Sequence, residues 1–98
     1  MDARLKTVIN SKIDEVIHRS NEILTITRSL EDLIDDEENV TFGIALGRLY
    51  NAFHYQTRRI LKRNATEQEF EEFVAMLSGR AEEIKNALKL GKQHTRNE

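Results

Sequence analysis

Apolar residues recur along the chain at intervals of three and four, the repeat that places them on one face of an α-helix. The first series spans residues 3–34 and contains Leu5, Ile9, Ile13, Val16, Ile23, Leu30 and Ile34. A helix of that length would measure about 48 Å, which is more than a compact chain of this size can cover. We therefore expect either a bend, near Ser20–Asn21 or within Thr25–Thr27 where weaker helix formers cluster, or a second subunit that covers the remainder.

An acidic connection separates this first predicted helix from the second. Residues 31–39 contain six Asp and Glu residues, and Asp36 or Asn39 can cap the helix that follows them. We predict the second helix over residues 40–63. Its apolar seam consists of Phe42, Leu46, Leu49, Phe53 and Ile60, with Gln56 at the remaining core position.

Two glycines interrupt the second predicted helix. Gly43 and Gly47 lie four residues apart, and each costs about 1 kcal/mol relative to alanine in a helix interior. Small residues at this spacing open a groove that another helix can approach closely, which would compensate for the cost. The sequence therefore predicts a helix–helix interface made by Phe42, Gly43, Leu46, Gly47, Leu49, Tyr50 and Phe53.

The third predicted helix begins with a capping box. In the segment Thr66-Glu-Gln-Glu69, the threonine hydroxyl and the glutamate carboxylate can each accept a hydrogen bond from the backbone of the other residue. We predict this helix over residues 67–90, continuous through Ser78–Gly79 and ended by Gly91. Its apolar face contains Phe70, Phe73, Val74, Leu77, Ala81, Ile84 and Leu88.

Composition agrees with a helical protein of one domain. The chain has 98 residues, no proline and 33% charged residues, and a chain of this length supports a single core. Short connections between helices favour antiparallel neighbours. We predict an all-α fold, either a three-helix antiparallel bundle or a hairpin with a long first helix, completed by dimerisation. The predicted domain covers residues 1–91, and residues 92–98 form a disordered tail.

The chemistry of the side chains narrows the functional classes. There is no cysteine, so disulfides, thiolate metal sites and cysteine nucleophiles are excluded. The acidic segment lacks the ligand spacing of an EF-hand, and the one E-x-x-H pattern, Glu15 to His18, lacks the second motif of a di-iron site. We predict no metal and no cofactor. Without a signal peptide or an apolar run of about 20 residues, we expect a cytoplasmic protein that does not enter a membrane.

A basic cluster at the end of the second predicted helix is the candidate binding site. The net charge is −2, so any nucleic-acid binding depends on a local cationic surface. The cluster could contact phosphates, with neighbouring aromatic residues stacking on bases. The alternative, which we favour, is that it offsets the helix dipole and pairs with acidic residues. The candidate anion-binding residues are Arg48, His54, Arg58, Arg59, Lys62 and Arg63.

Arg48 and His54 also form a pattern of their own, Arg-Leu-Tyr-Asn-Ala-Phe-His. This segment resembles the R-x(4-6)-H motif of HEPN ribonucleases, which are helical dimers whose paired arginines and histidines cleave RNA. The resemblance implies that His54 would transfer the proton of the 2′-hydroxyl and that Arg48 would stabilise the charge on the phosphorus centre. It covers only this segment of the chain.

Three functional hypotheses follow from these patterns. The preferred one is a non-enzymatic helical interaction protein that acts as a homodimer through the second predicted helix and part of the first, although another protein could be the partner. The first alternative is nucleic-acid binding through the basic end of that helix. The second alternative is the HEPN-like ribonuclease, and we do not favour an enzyme.

Overall fold

A computed structural model describes the backbone of residues 1–96 and the side chains of residues 1–89, and every regular element among them is helical. The elements are α1 (Ala3–His18), α2 (Ser20–Ser29), a short 3₁₀ helix (Glu31–Leu33), α3 (Glu37–Leu61) and α4 (Glu67–Arg96). The helices pack on one another as a compact fold. The prediction of an all-α protein is confirmed.

The first predicted helix is divided into α1 and α2. Arg19 lies between them with φ −105° and ψ 27°, outside the α-helical region, beside the predicted bend at Ser20–Asn21. α2 ends at Ser29 rather than at Ile34, which is extended. Local hydrogen bonds explain this early end, since the hydroxyl of Ser29 donates to the backbone oxygen of Ile26 and competes with further helical bonding.

The break allows both segments to be buried within one chain. α1 packs on α3 and α4, and α2 also contacts both of these helices. A second subunit is therefore not required to cover the apolar face of the first predicted helix, with the exception of Leu30, which is exposed. The core consists of Leu5, Ile9, Ile13, Val16, Ile23, Leu24, Ala45, Leu49, Phe53, Phe73, Ile84 and Leu88.

α3 begins three residues earlier than predicted and ends two residues earlier. Asp36 caps it, because the Asp36 carboxylate accepts a hydrogen bond from the backbone N–H of Asn39. Gln56 is buried, as its position on the apolar seam predicts. The helix ends where Lys62 adopts a left-handed conformation with φ 61°, which turns the chain toward α4.

α4 begins with the predicted capping box. The backbone N–H of Thr66 donates to the Glu69 carboxylate at 2.9 Å, and the backbone N–H of Glu69 donates to the Thr66 hydroxyl at 3.1 Å. The helix is continuous through Ser78 and Gly79, and it extends beyond the predicted end at Gly91 to Arg96. The side chains of the predicted tail lie outside the described residues. No helix in the described part of the chain is long and apolar enough to cross a bilayer.

Candidate functional site

An aromatic cluster joins α3 to α4. The rings of Phe53 and Phe73 are stacked in the core, with centroids 4.5 Å apart. At the border of the core, Phe70 lies 6.2 Å from Tyr50 and 6.3 Å from His54, and Tyr50 and His54 are in edge contact at 4.7 Å. The antiparallel packing of two helices therefore brings the cluster to the protein surface.

We call the surface around this border the α3–α4 face, and it consists of Gly43, Gly47, Tyr50, Phe70 and Val74. The side chains of Tyr50, Phe70 and Val74 are 52%, 37% and 43% exposed. A Cβ atom placed on Gly43 or Gly47 would meet no atom within 4 Å. The space beside these glycines is therefore open, and no helix in the described part of the chain fills it.

The predicted interface residues are thus divided between the surface and the core. Leu49 and Phe53 are fully buried inside the chain and are not available to a partner. Phe42 and Leu46 are half-buried, whereas Gly43, Gly47 and Tyr50 are exposed. The reason is that helix α3 packs on α1 and α4 with the same seam that we expected to contact another subunit.

Phe70 and Val74 belong to the α3–α4 face although the sequence places them on the apolar face of their helix. The two residues lie four apart on the flank of the buried Phe73. Their helical spacing places them on the apolar face of α4. Their exposure depends on how α4 is rotated about its own axis relative to α3. The only sequence signal is that the apolar face of this helix is wider than one neighbouring helix can cover.

Two of the candidate anion-binding residues pair with acidic side chains. An Arg48 guanidinium nitrogen lies 3.7 Å from a carboxylate oxygen of Glu15 on α1. Arg63 donates two hydrogen bonds, of 2.8 and 3.1 Å, to the carboxylate of Glu69. These bonds, together with the one from the Thr66 backbone, lower the pKa of Glu69 to about 2.

Arg48 and His54 are not brought together within one chain. A separation of six residues turns them about 120° apart on a helix. Arg48 accordingly faces Glu15 on α1, and His54 packs against Phe70 on α4. The arrangement implied by the resemblance to HEPN ribonucleases would therefore depend on residues of a second copy.

Two of the other candidate residues, Arg59 and Lys62, line an open groove between α1 and α3. We call this the α1–α3 groove, and its polar lining consists of Arg4, Thr7, Ser11, Arg59 and Lys62, with Ala3, Val8 and Ile60 also lining it. Arg59 donates a 3.0 Å hydrogen bond to the side-chain oxygen of Gln56, which holds its guanidinium beside α3. Arg58 is exposed and is not part of this lining.

The contribution of α1 to this groove could not be found from the sequence. Arg4, Thr7 and Ser11 lie at intervals of three and four on a polar flank of α1, which is typical of a solvent-exposed face. Nothing in that pattern says that the basic end of α3 lies alongside it. The antiparallel packing of α1 on α3 decides this.

Comparison of the chain with family models, with curated proteins and with solved structures finds no match. Among the described residues, no group of three or more His, Cys, Asp or Glu side chains is placed to hold a metal ion. The α3–α4 face and the α1–α3 groove are therefore the two surfaces on which a functional proposal can rest.

Proposed function

We propose that this protein is a non-enzymatic helical interaction protein that forms a homodimer through the α3–α4 face. The observation that carries the proposal is the open space beside Gly43 and Gly47. Each glycine destabilises the interior of α3 by about 1 kcal/mol relative to alanine, and nothing within the described chain makes use of the space. An approaching helix of a second copy would use it.

The shape of the face favours a second copy as the partner. On α3, the open space beside Gly47 lies one helical turn from the exposed Tyr50 ring, which contacts Phe70. In a two-fold symmetric dimer, each surface meets its own copy, so a projection beside a depression is self-complementary. The exposed Tyr50 ring of one copy would enter the glycine groove of the other.

The charge of the face supports the same partner. None of the five residues of the α3–α4 face is charged, so a symmetric contact would bury them without bringing like charges together. The partly exposed aromatic rings would lose their remaining contact with water. Burial of such apolar surface is the main source of stability at interfaces of this kind. The antiparallel helical bundle would thereby be completed by dimerisation.

Sedimentation equilibrium tests the proposal directly. At concentrations of tens of micromolar and above, we expect a mass of twice the 11.4 kDa of one chain. Gly47→Leu should shift the protein to the monomer, because leucine fills the groove. The monomer itself should remain folded, since the added side chain has open space and leucine is a better helix former than glycine.

Gly79→Leu is the matched control. Gly79 is also an open helix glycine, and it lies five residues after Val74, about 140° away from the α3–α4 face. This variant gains the same helix propensity and should remain dimeric. A wild-type protein that stays monomeric across the concentration range would refute the proposal. Equal loss of the dimer in both variants would show that the interface lies elsewhere.

A further inference from the structure

The α1–α3 groove is lined by three cations, and two of them are not paired with acidic residues in the described part of the chain. Arg59 and Lys62 form no ion pair with any side chain among residues 1–89, whereas the Arg4 guanidinium donates two hydrogen bonds to the carboxylate of Asp2, the residue that caps α1. The hydroxyls of Thr7 and Ser11 face the same groove and can donate hydrogen bonds to an anion. The lining therefore has the chemistry of a phosphate-binding surface.

One exposed aromatic residue lies on the same side of α3. Tyr55 precedes Arg59 by four residues and Lys62 by seven, so the three side chains share one helix face. Its side chain is 57% exposed. The other ring-bearing residues of α3 contact α4. Tyr50, Phe53 and His54 do so in the aromatic cluster, and Phe42 lies under the ammonium group of Lys85. Tyr55 makes no ring contact with an aromatic side chain among residues 1–89.

We infer that the α1–α3 groove binds single-stranded nucleic acid, with phosphates on Arg4, Arg59 and Lys62 and one base stacked on Tyr55. Single-strand binding surfaces combine a cationic groove that follows the backbone with aromatic rings that accept bases of any sequence. A base in a duplex could not reach the ring, because its faces are already stacked on neighbouring bases. The combination of groove and ring therefore selects the single strand.

Compensation of the helix dipole does not account for the whole arrangement. Cations in the last turn of α3 offset the negative end of its dipole, and this explains a basic residue at position 58 as well as at position 59. It explains neither the exposed ring of Tyr55 nor the hydroxyls and Arg4 that α1 contributes. The groove also lies on the opposite side of α3 from the α3–α4 face, so the inference does not depend on dimerisation.

Fluorescence anisotropy with a labelled oligothymidine of about 12 nucleotides, titrated with the full chain at several salt concentrations, tests the inference. Three phosphate contacts predict that the logarithm of affinity falls with the logarithm of salt concentration with a slope of about −2. In Arg59→Ala with Lys62→Ala, the slope should weaken to about −0.7. Tyr55→Ala should lower affinity about tenfold with an unchanged slope, and Tyr55→Phe should restore it.

A second double variant controls for net charge. Lys6→Ala with Lys89→Ala removes the same charge from exposed positions outside the groove, and it should retain the wild-type slope. An abasic oligonucleotide of equal length should bind more weakly than oligothymidine and should not respond to Tyr55→Ala. Circular dichroism establishes that each variant keeps its helical content.

Three results would overturn the inference. The first is the absence of binding at low salt. The second is an equal change of slope in the two double variants, which would mean that only the overall charge matters. The third is unchanged affinity in Tyr55→Ala, or an abasic strand that binds as tightly as oligothymidine. Either result would show that no base stacks on Tyr55.

Discussion

The carboxylate of Glu69 is expected to stabilise the junction between α3 and α4 by a measurable and pH-dependent amount. It accepts two hydrogen bonds from Arg63 and one from the backbone N–H of Thr66, and its side chain is only 11% exposed. These contacts join the end of α3 to the first turn of α4. Glu69→Gln removes the charge but retains a side chain that can complete the capping box.

The magnitude follows from the pKa of Glu69, which falls from 4.5 to about 2. At about 1.36 kcal/mol for each pKa unit, the upper limit of the stabilisation is about 3.4 kcal/mol. Because the Arg63 side chain is 49% exposed, water screens the interaction. We therefore expect Glu69→Gln to lower the free energy of unfolding at neutral pH by about 1 to 2 kcal/mol.

The pH dependence has a definite sign. The folded-state pKa lies below the unfolded-state value, so the contribution is complete above about pH 4.5 and is lost as the pH falls through about 2. Urea denaturation followed by circular dichroism at several pH values measures it. The difference between the wild type and Glu69→Gln should shrink toward zero in acid.

Glu67→Gln provides the matched control for this experiment. Glu67 lies in the same first turn of α4, but it is exposed and makes no side-chain hydrogen bond or ion pair with residues 1–89. Its loss should cost only the few tenths of a kcal/mol of a dipole interaction. Equal destabilisation by the two variants would contradict the reasoning, as would a Glu69 effect that stays constant into acid.

Three further experiments test the packing. Phe73→Ala removes a buried ring that stacks in the core and should lower the free energy of unfolding by about 3 to 5 kcal/mol in urea denaturation. Arg80→Ala breaks the 2.6 Å contact to Asp14 that joins α4 to α1, and a loss of about 1 kcal/mol that shrinks at high salt is expected in thermal melts. The hydroxyls of Thr27 and Thr41 form a buried 2.8 Å hydrogen bond. A double-mutant cycle with Thr27→Val and Thr41→Val should therefore show a coupling free energy of about 1 kcal/mol. If the two losses of unfolding free energy are simply additive, that bond does not contribute to stability.

Local features of the fold follow directly from the sequence. The capping box at Thr66 and Glu69 and the cap at Asp36 occur where their residue types predict them, because each depends on atoms within three residues. The buried position of Gln56 follows from the helical repeat alone. By contrast, the sequence did not predict that the first helix ends at Ser29. A serine hydroxyl can compete for backbone hydrogen bonds at many positions, so its presence alone does not mark a helix end.

For the candidate surfaces as well, the sequence predicts local features but not which helices pack together. Helical periodicity identifies Leu49 and Phe53 as members of an apolar seam, but it does not say whether that seam meets the same chain or another one. Likewise, the sequence marks the basic cluster, whereas the pairing of Arg48 and Arg63 with acidic side chains depends on which helices lie beside α3.

The sequence by itself determined that this protein is helical, where α1 and α4 begin, and which faces of the helices are apolar. It also identified the glycines and cations from which both functional proposals start. Only the tertiary structure decided that Gly43 and Gly47 face open space, and that Arg59 and Lys62 face Arg4 across a groove. The physical reason is that helix propensity, capping and periodicity act within a few residues, whereas the partner of each face is chosen by packing between residues that are distant in the chain.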